Sequence, residues 1–183
     1  MANAPPEYCP RCGERLDPVD PPGSFYCHAC DGPTFHNPVP AARLAVLDGD
    51  HILLVKVDAP DRDLWGTPGG MLEPEEQPAA AGARELTEET TLEVDPDALT
   101  LFDVRTFKKF DRFDKLYLAF AVDAADVRGI PTADDEVVEA RFWAREEFAS
   151  AEARLLTSWP REYKDLSWWI ENAQAALDGE SLA

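Results

Sequence analysis

Lysine is scarce in this chain: five of its 17 basic residues are lysines, against 36 acids, and the net charge is −19. A surface this acidic repels phosphate backbones at long range, so broad nucleic-acid binding is disfavoured. No cysteine occurs after residue 30. No apolar run approaches the roughly 18 residues of a membrane span, and the opening MANAPPEYCPRCG has no basic start followed by an apolar stretch. A cytoplasmic protein without membrane association is expected. Neither a G-x4-G-K-S/T phosphate loop nor a G-x-G-x-x-G fingerprint is present, and internal repeats and low-complexity tracts are missing as well. What is there is 183 residues with 45% hydrophobic content, enough for one domain of about 150 residues and a small appendage. The acids are scattered along the whole length, which reads most simply as a halophile-like adaptation to high salt, where charges are screened within a few ångströms.

All four cysteines fall in one short segment, as CPRCG and CHACD: Cys9-x2-Cys12, fourteen residues, then Cys27-x2-Cys30. Two thiolate pairs at this spacing match a four-sulfur zinc site, each pair chelating from a tight turn whose amides hydrogen-bond the sulfurs. The other reading, two disulfides, belongs to secreted chains. Such a zinc ion is structural, because four sulfurs leave no open position for water and so short a segment cannot bury a core without the metal. His28 and His36 read as surface or capping residues rather than ligands. Residues 1–36 are therefore expected to form a zinc ribbon and residues 37–183 the main domain, with GPTFHNPVP as a Pro-punctuated linker.

In the main domain, ARLAVLDGDHILLVKV places two apolar runs around Asp48-Gly49-Asp50, a hairpin signature. LWGTPGG is a short strand ending in a glycine turn. Residues 77–90 are predicted to be helical, with Ala79, Ala83, Leu86 and Thr90 forming one core-facing stripe. LTLFDVRTF, DKLYLAFAVD and VEARFWA read as strands, followed by a helix from near Arg145 and a last helix after Pro160 whose apolar stripe is Leu166, Trp169, Ile170, Ala173 and Leu177. Strands on both sides of a central helix, closed by a terminal helix, give an α/β fold with a mixed sheet between helices.

The predicted central helix is crowded with glutamate, although like charges three or four residues apart each cost a few tenths of a kcal/mol. Glu85, Glu88 and Glu89 share one helix face. Hard cations such as Mg²⁺ take oxygen ligands from a few carboxylates together with substrate phosphates, and would offset the repulsion. Arg84 can fork to a carboxylate and fix its rotamer. Taken alone, the cluster also fits a solvated acidic face. The spacing goes further: Gly70, five residues, Glu76, seven residues, then Arg84-Glu85-Leu86-Thr87-Glu88-Glu89 resembles the Nudix box, G-x5-E-x7-R-E-U-x-E-E-x-G-U, with Leu92 at the closing aliphatic position. Thr91 stands where the box has glycine, and a β-branched residue resists the left-handed conformation that a glycine takes at a helix exit.

The resemblance implies a Nudix α/β/α sandwich and an enzyme that hydrolyses a nucleoside diphosphate linked to another moiety, with Mg²⁺ or Mn²⁺. It implies that Glu85, Glu88 and Glu89 are metal ligands, that Glu76 supports the loop or a further metal, that Arg84 orients the carboxylates, and that Gly69 and Gly70 let the backbone turn close to the site. The family's base or extra ligand can come from a later loop, here DDEVVEARFW, with Glu136 first and Glu139 second. Phe107, Phe110, Phe113 and Tyr117 are candidates for stacking a base, though they read more readily as core and hairpin aromatics.

CxxC pairs joined to such a domain resemble the NADH pyrophosphatases and related zinc-ribbon Nudix proteins. The SQPWPFP-type motif of the NADH pyrophosphatases does not follow Leu92, and the nearest Trp-Pro, in SWPREY at 158–163, comes too late. The substrate is therefore expected to be a small nucleotide derivative: a nucleotide sugar, ADP-ribose, NAD(H) or an NTP-like compound. The resemblance also allows a homodimer. A second reading is a zinc-ribbon module that senses a nucleotide without cutting it.

Overall fold

The computed structural model describes residues 4–59, 63–109, 113–134 and 137–179, with the side chains of Lys109 and Phe113 outside that description. Two compact units are present; the smaller holds Met1–Val39 and Lys108–Lys115 and the larger holds Pro40–Phe107 and Leu116–Ala183.

The small unit is a three-stranded antiparallel sheet of β1 (Asp17–Val19), β2 (Ser24–Cys27) and β3 (Gly32–Phe35). Its buried apolar residues are Cys9, Leu16 and Cys27, too few to hold a fold by themselves. The linker begins later than its prolines suggest, after Phe35, because Gly32–Phe35 pairs with β2 as an edge strand that tolerates Pro33. Here pairing to a neighbour overrides a punctuation signal that is purely local.

The large unit carries a seven-stranded sheet in the order β12-β6-β5-β4-β9-β8, with β11 also pairing β5. Its strands are β4 (Val39–Asp48), β5 (His51–Lys56), β6 (Leu64–Gly66), β8 (Thr100–Lys109), β9 (Phe113–Asp123), β11 (Glu139–Ala144) and β12 (Arg154–Leu155). A small ribbon of β7 (Glu93–Val94) and β10 (Val127–Arg128) stands apart. The sheet is mixed, since β12 runs parallel to β6 and β11 antiparallel to β5. The hairpin is the expected one, with Asp48 opposite His51 and Gly49 at φ 60°.

β4 is apolar on both faces because helices cover both, so it reads as a continuous run rather than an alternation. Ala41, Ala45 and Leu47 face one core; Ala42, Leu44 and Val46 face the other. The first core holds Trp65, Trp143, Trp159, Tyr163 and Trp169, and receives Phe148 from α2 (Arg145–Ser150) and Ile170 and Ala173 from α3 (Leu166–Leu177). The second receives Ala81, Ala83 and Leu86 from α1 (Pro78–Thr90). Gly82 lets α1 settle against Leu44, where a Cβ would overlap that side chain. The α/β/α arrangement follows from these two cores.

Two local readings change. α3 starts at Leu166 rather than directly after Pro160, because residues Glu162–Lys164 form a 3-10 turn and the Asp165 carboxylate caps the helix by accepting from the Ser167 amide. Its predicted stripe is core, with Trp169 fully buried. Thr91 does adopt the left-handed conformation, φ 59° and ψ 8°, and donates its amide to the Thr87 carbonyl at 2.9 Å, so α1 ends as it would with glycine. Among the described residues no helix is long and apolar enough to cross a membrane.

Candidate functional site

β5 divides its pairing on one edge: Ile52 faces Leu47 of β4 at its start, while Val55 and Lys56 face Gly66 and Trp65 of β6 at its end. The chain leaving β6 fills the gap between them. Pro68 and Gly70 carbonyls accept from the Leu44 and Ala42 amides at 2.9 and 3.0 Å, so the glycine turn lies along β4. A Cβ on Gly69, which has φ 137°, would overlap the Ala42 carbonyl oxygen, and one on Gly70 would overlap the Glu85 carboxylate. Both glycines are required by close approach, and α1 presents its carboxylates to the turn they form.

The three helix glutamates are not equivalent. Glu85 and Glu89 are buried, at 8% and 9% exposure, whereas Glu88 is exposed. A simple solvated acidic face is thereby excluded. Glu89 Oε2 accepts from the Gly69 amide at 2.8 Å. Arg84 gathers the others: its Nε donates to Glu76 Oε1 at 2.9 Å, and one terminal nitrogen donates to Glu85 Oε1 at 2.9 Å and Glu88 Oε2 at 2.7 Å. The second terminal nitrogen donates to the Met71 carbonyl at 3.0 Å and Glu76 Oε2 at 3.1 Å. Glu76 also accepts from the Glu73 amide at 2.8 Å, closing the loop before α1.

The electrostatics follow the contacts. Arg84, then the Glu73 amide, hold the Glu76 carboxyl below its ordinary value of 4.5. Burial pushes Glu85 above 4.5, with Arg84 pulling the other way and Glu88 adding to the rise. Glu85 is thus a buried acid whose charge is only partly compensated. Hard divalent cations are bound by carboxylates of this kind.

Of the later candidates, Glu136 lies outside the described residues. Glu139 is exposed at the start of β11, opposite Lys56. The described part of that loop covers the end of α1: the Thr132 amide donates to the Thr90 carbonyl at 3.0 Å and the Asp134 amide to the Glu89 carbonyl at 3.3 Å. Among the aromatics, Tyr117 is buried and packs edge-on to Phe107 at 4.7 Å, a core role; Phe110 and the Phe113 side chain lie outside the described residues. Sequence reading missed the Met71 carbonyl and the Gly69 amide as partners, because main-chain groups leave no mark in residue type.

In the small unit the sulfurs of Cys9, Cys12, Cys27 and Cys30 all lie within 4.8 Å of one another, with Cys9 to Cys30 at 3.9 Å and Cys12 to Cys27 at 3.6 Å. A tetrahedral zinc with bonds of about 2.3 Å separates its sulfurs by about 3.8 Å. The Arg11 and Cys12 amides lower Cys9 to about 7, while hydrogen bonding with Cys12 and desolvation push Cys30 up to about 12. Four thiols this close cannot all ionise without a cation between them. His28 instead meets Asp17, at 3.1 Å.

The NUDIX domain family model matches residues 37–166. The chain belongs to the NUDIX domain family. Among curated proteins it is similar to an NAD-capped RNA hydrolase, NudC, of Pseudomonas fluorescens, with 30% identity over 87 residues; that stretch is 48% of this chain and 32% of the relative. The chain thus matches about a third of that relative's length. A Nudix hydrolase of Nitrosomonas europaea shares the fold with TM-score 0.63 at 16% identity, covering 97% of this chain and 96% of that one. A MutT Nudix hydrolase of Burkholderia pseudomallei does so with TM-score 0.58 at 21% identity, covering 74% and 98%. At these identities the two structures speak to the Nudix fold alone.

Proposed function

We propose that residues 37–183 form a Mg²⁺- or Mn²⁺-dependent hydrolase that splits the phosphoanhydride bond of a nucleoside diphosphate linked to another moiety, and that residues 1–36 form a ribbon around a structural zinc. The observation that carries this reading is the burial of Glu85 and Glu89 on one face of α1 against a turn that only glycines fit. Glu85 and Glu89 are the principal metal ligands in this reading, with the exposed Glu88 as the third. When bound, the cation would supply charge neutralisation at the diphosphate and would lower the pKa of a bound water.

The chain's own residues do the positioning. The Gly69 amide fixes one oxygen of Glu89 and so sets the orientation of its carboxylate. Arg84 sets the rotamers of Glu85 and Glu88 and ties the helix to Glu76 in the preceding loop. The turn at Gly69 and Gly70 brings main chain to the carboxylates without side-chain bulk, so a diphosphate can approach. Glu136, two positions after Asp134 in the sequence, is the proposed base.

The test is product analysis by chromatography, with Mg²⁺ or Mn²⁺ at low and molar KCl, against NADH, NAD⁺, ADP-ribose, UDP-glucose, dinucleoside polyphosphates and nucleoside triphosphates, beside Glu89→Gln. NAD-capped RNA joins the panel because of the NudC relative, although a net charge of −19 weighs against an RNA substrate. Cleavage lost in Glu89→Gln supports the hydrolase. Nucleotide binding without products at either salt favours the sensing module.

A further inference from the structure

We propose that Arg43 is a phosphate-binding residue, which holds a phosphoryl group of the nucleoside diphosphate substrate on the aromatic side of β4. This rests on the nucleotide-hydrolase reading and adds to it a recognition group outside the box motif.

Arg43 occupies a position in β4 whose neighbours on the same face, Ala41 and Ala45, are fully buried in the aromatic core. An arginine there is unexpected. Its guanidinium lies over the rings of Tyr117 and Trp159, 5.3 and 5.8 Å from their centroids, and one terminal nitrogen donates to the Thr67 carbonyl at 2.9 Å. Its Nε is buried with no hydrogen-bond partner. Arg84, Arg105, Arg141 and Arg145, the other partly buried arginines among the described residues, each hold a carboxylate at ion-pair distance. Arg43 forms no ion pair among the described residues, in a chain with 36 acids and 17 bases.

A guanidinium partly withdrawn from water needs a counter-charge, and rings beneath it compensate only in part. Beyond the Thr67 carbonyl, the surroundings supply groups able to donate. Trp159 Nε1 and Thr67 Oγ1 are also buried without partners, on the two residues that touch the guanidinium. Three unpartnered groups able to donate, with the Glu85 carboxylate near enough to feel the Arg43 charge but not at ion-pair distance, suit an acceptor-only anion, and the planar edge of arginine suits the oxygens of phosphate.

The location connects this anion site to the carboxylates. Gly69 packs on the Arg43 main chain, so that a Cβ on Gly69 would lie 2.9 Å from Arg43 Cα, and the same Gly69 donates its amide to Glu89. The next residue, Gly70, packs on the Glu85 carboxylate. Two glycines therefore lie between the Arg43 main chain and the buried acids. A diphosphate bridging them has one phosphate facing the metal carboxylates and the other facing Arg43.

The experiment is calorimetric titration of the zinc-loaded full chain with inorganic pyrophosphate and with ADP in the presence of Ca²⁺, comparing wild type, Arg43→Gln and Arg43→Lys, alongside steady-state kinetics on any substrate cleaved. Arg43→Gln is expected to weaken pyrophosphate and ADP at least tenfold and to raise KM by a similar factor while kcat changes less. Arg43→Lys, which keeps the charge without the planar edge, should recover part of the loss. If Arg43→Gln fails to fold, Arg43→Lys decides, with weakening of several-fold expected. Unchanged affinity in the folded variants, or no pyrophosphate binding by wild type, overturns the proposal. Cleavage with an unchanged KM overturns the phosphate site and leaves the hydrolase standing. Arg43-dependent binding without cleavage of any nucleotide does the reverse.

Discussion

Gly69 and Glu89 are twenty residues apart and joined by a 2.8 Å hydrogen bond from amide to carboxylate. One oxygen of Glu89 is thereby committed to the scaffold. Glu89→Gln keeps an acceptor for that amide while removing the charge. Turnover should fall roughly a hundredfold or more, since a metal-held charge supplies several kcal/mol in the transition state. The melting temperature should move by only a few degrees. Activity and thermal scans on one preparation check both, and loss of fold together with activity would make Glu89 structural.

Gly70→Ala tests the turn. The added methyl meets the Glu85 carboxylate, so overpacking should cost about 1–3 kcal/mol and displace Glu85. Mn²⁺ affinity, read by electron paramagnetic resonance, should drop beside urea-measured stability.

Glu76 and Glu85 should respond oppositely to pH. The folded-state pKa of Glu76 is lowered, so its contribution is present above 4.5 and lost as pH falls through the lower folded value. Glu76→Gln should therefore cost about 1–3 kcal/mol near neutral pH, as expected for hydrogen bonds to a charged partner, and less in acid. Glu85 is raised, so its contribution is present below 4.5 and disappears as pH rises through its folded value. In metal-free buffer Glu85→Gln should be least harmful at neutral pH. Denaturant titrations between pH 3.5 and pH 7 compare the two.

Thr91→Gly should stabilise the chain by about 1 kcal/mol, because a β-branched residue in the left-handed region carries strain that glycine lacks. The loss of the long 3.3 Å hydrogen bond from Thr91 Oγ1 to the Ile130 carbonyl offsets little of it. Thr91→Ala, which keeps the strain, should not be stabilised. Urea midpoints decide between them.

Cys12→Ser should lower bound zinc from one equivalent, measured by atomic emission. Amide exchange in β1, β2 and β3 should then accelerate, while β4 and β5 keep their protection, because among the described residues the small unit buries just Cys9, Leu16 and Cys27 as apolar groups. Uniform acceleration through both units would contradict this.

Much of the arrangement was legible in the residues because it depends on spacing along one chain segment. Helix α1, the Asp48–His51 hairpin, strands β8, β9 and β11, and the stripe of α3 all follow from local periodicity. The start of α3 was missed because an Asp165 cap, rather than Pro160, sets it. Gly32–Phe35 reads locally as linker because the pairing with β2 that makes it a strand is a contact between segments.

By itself the sequence determined the chemical inventory: four thiols at chelating spacing, and six box positions from Gly70 to Glu89 that place carboxylates on one helix face. Only the tertiary structure decided what those groups meet. It buries Glu85 and Glu89 but leaves Glu88 in water, turns Arg84 toward Glu76, gives Glu89 to a backbone amide, and sets Arg43 over two rings with no ion pair among the described residues. The reason is physical: periodicity fixes the direction of a side chain on its own element, whereas burial, charge compensation and hydrogen-bond partners depend on whatever other segment packs against it.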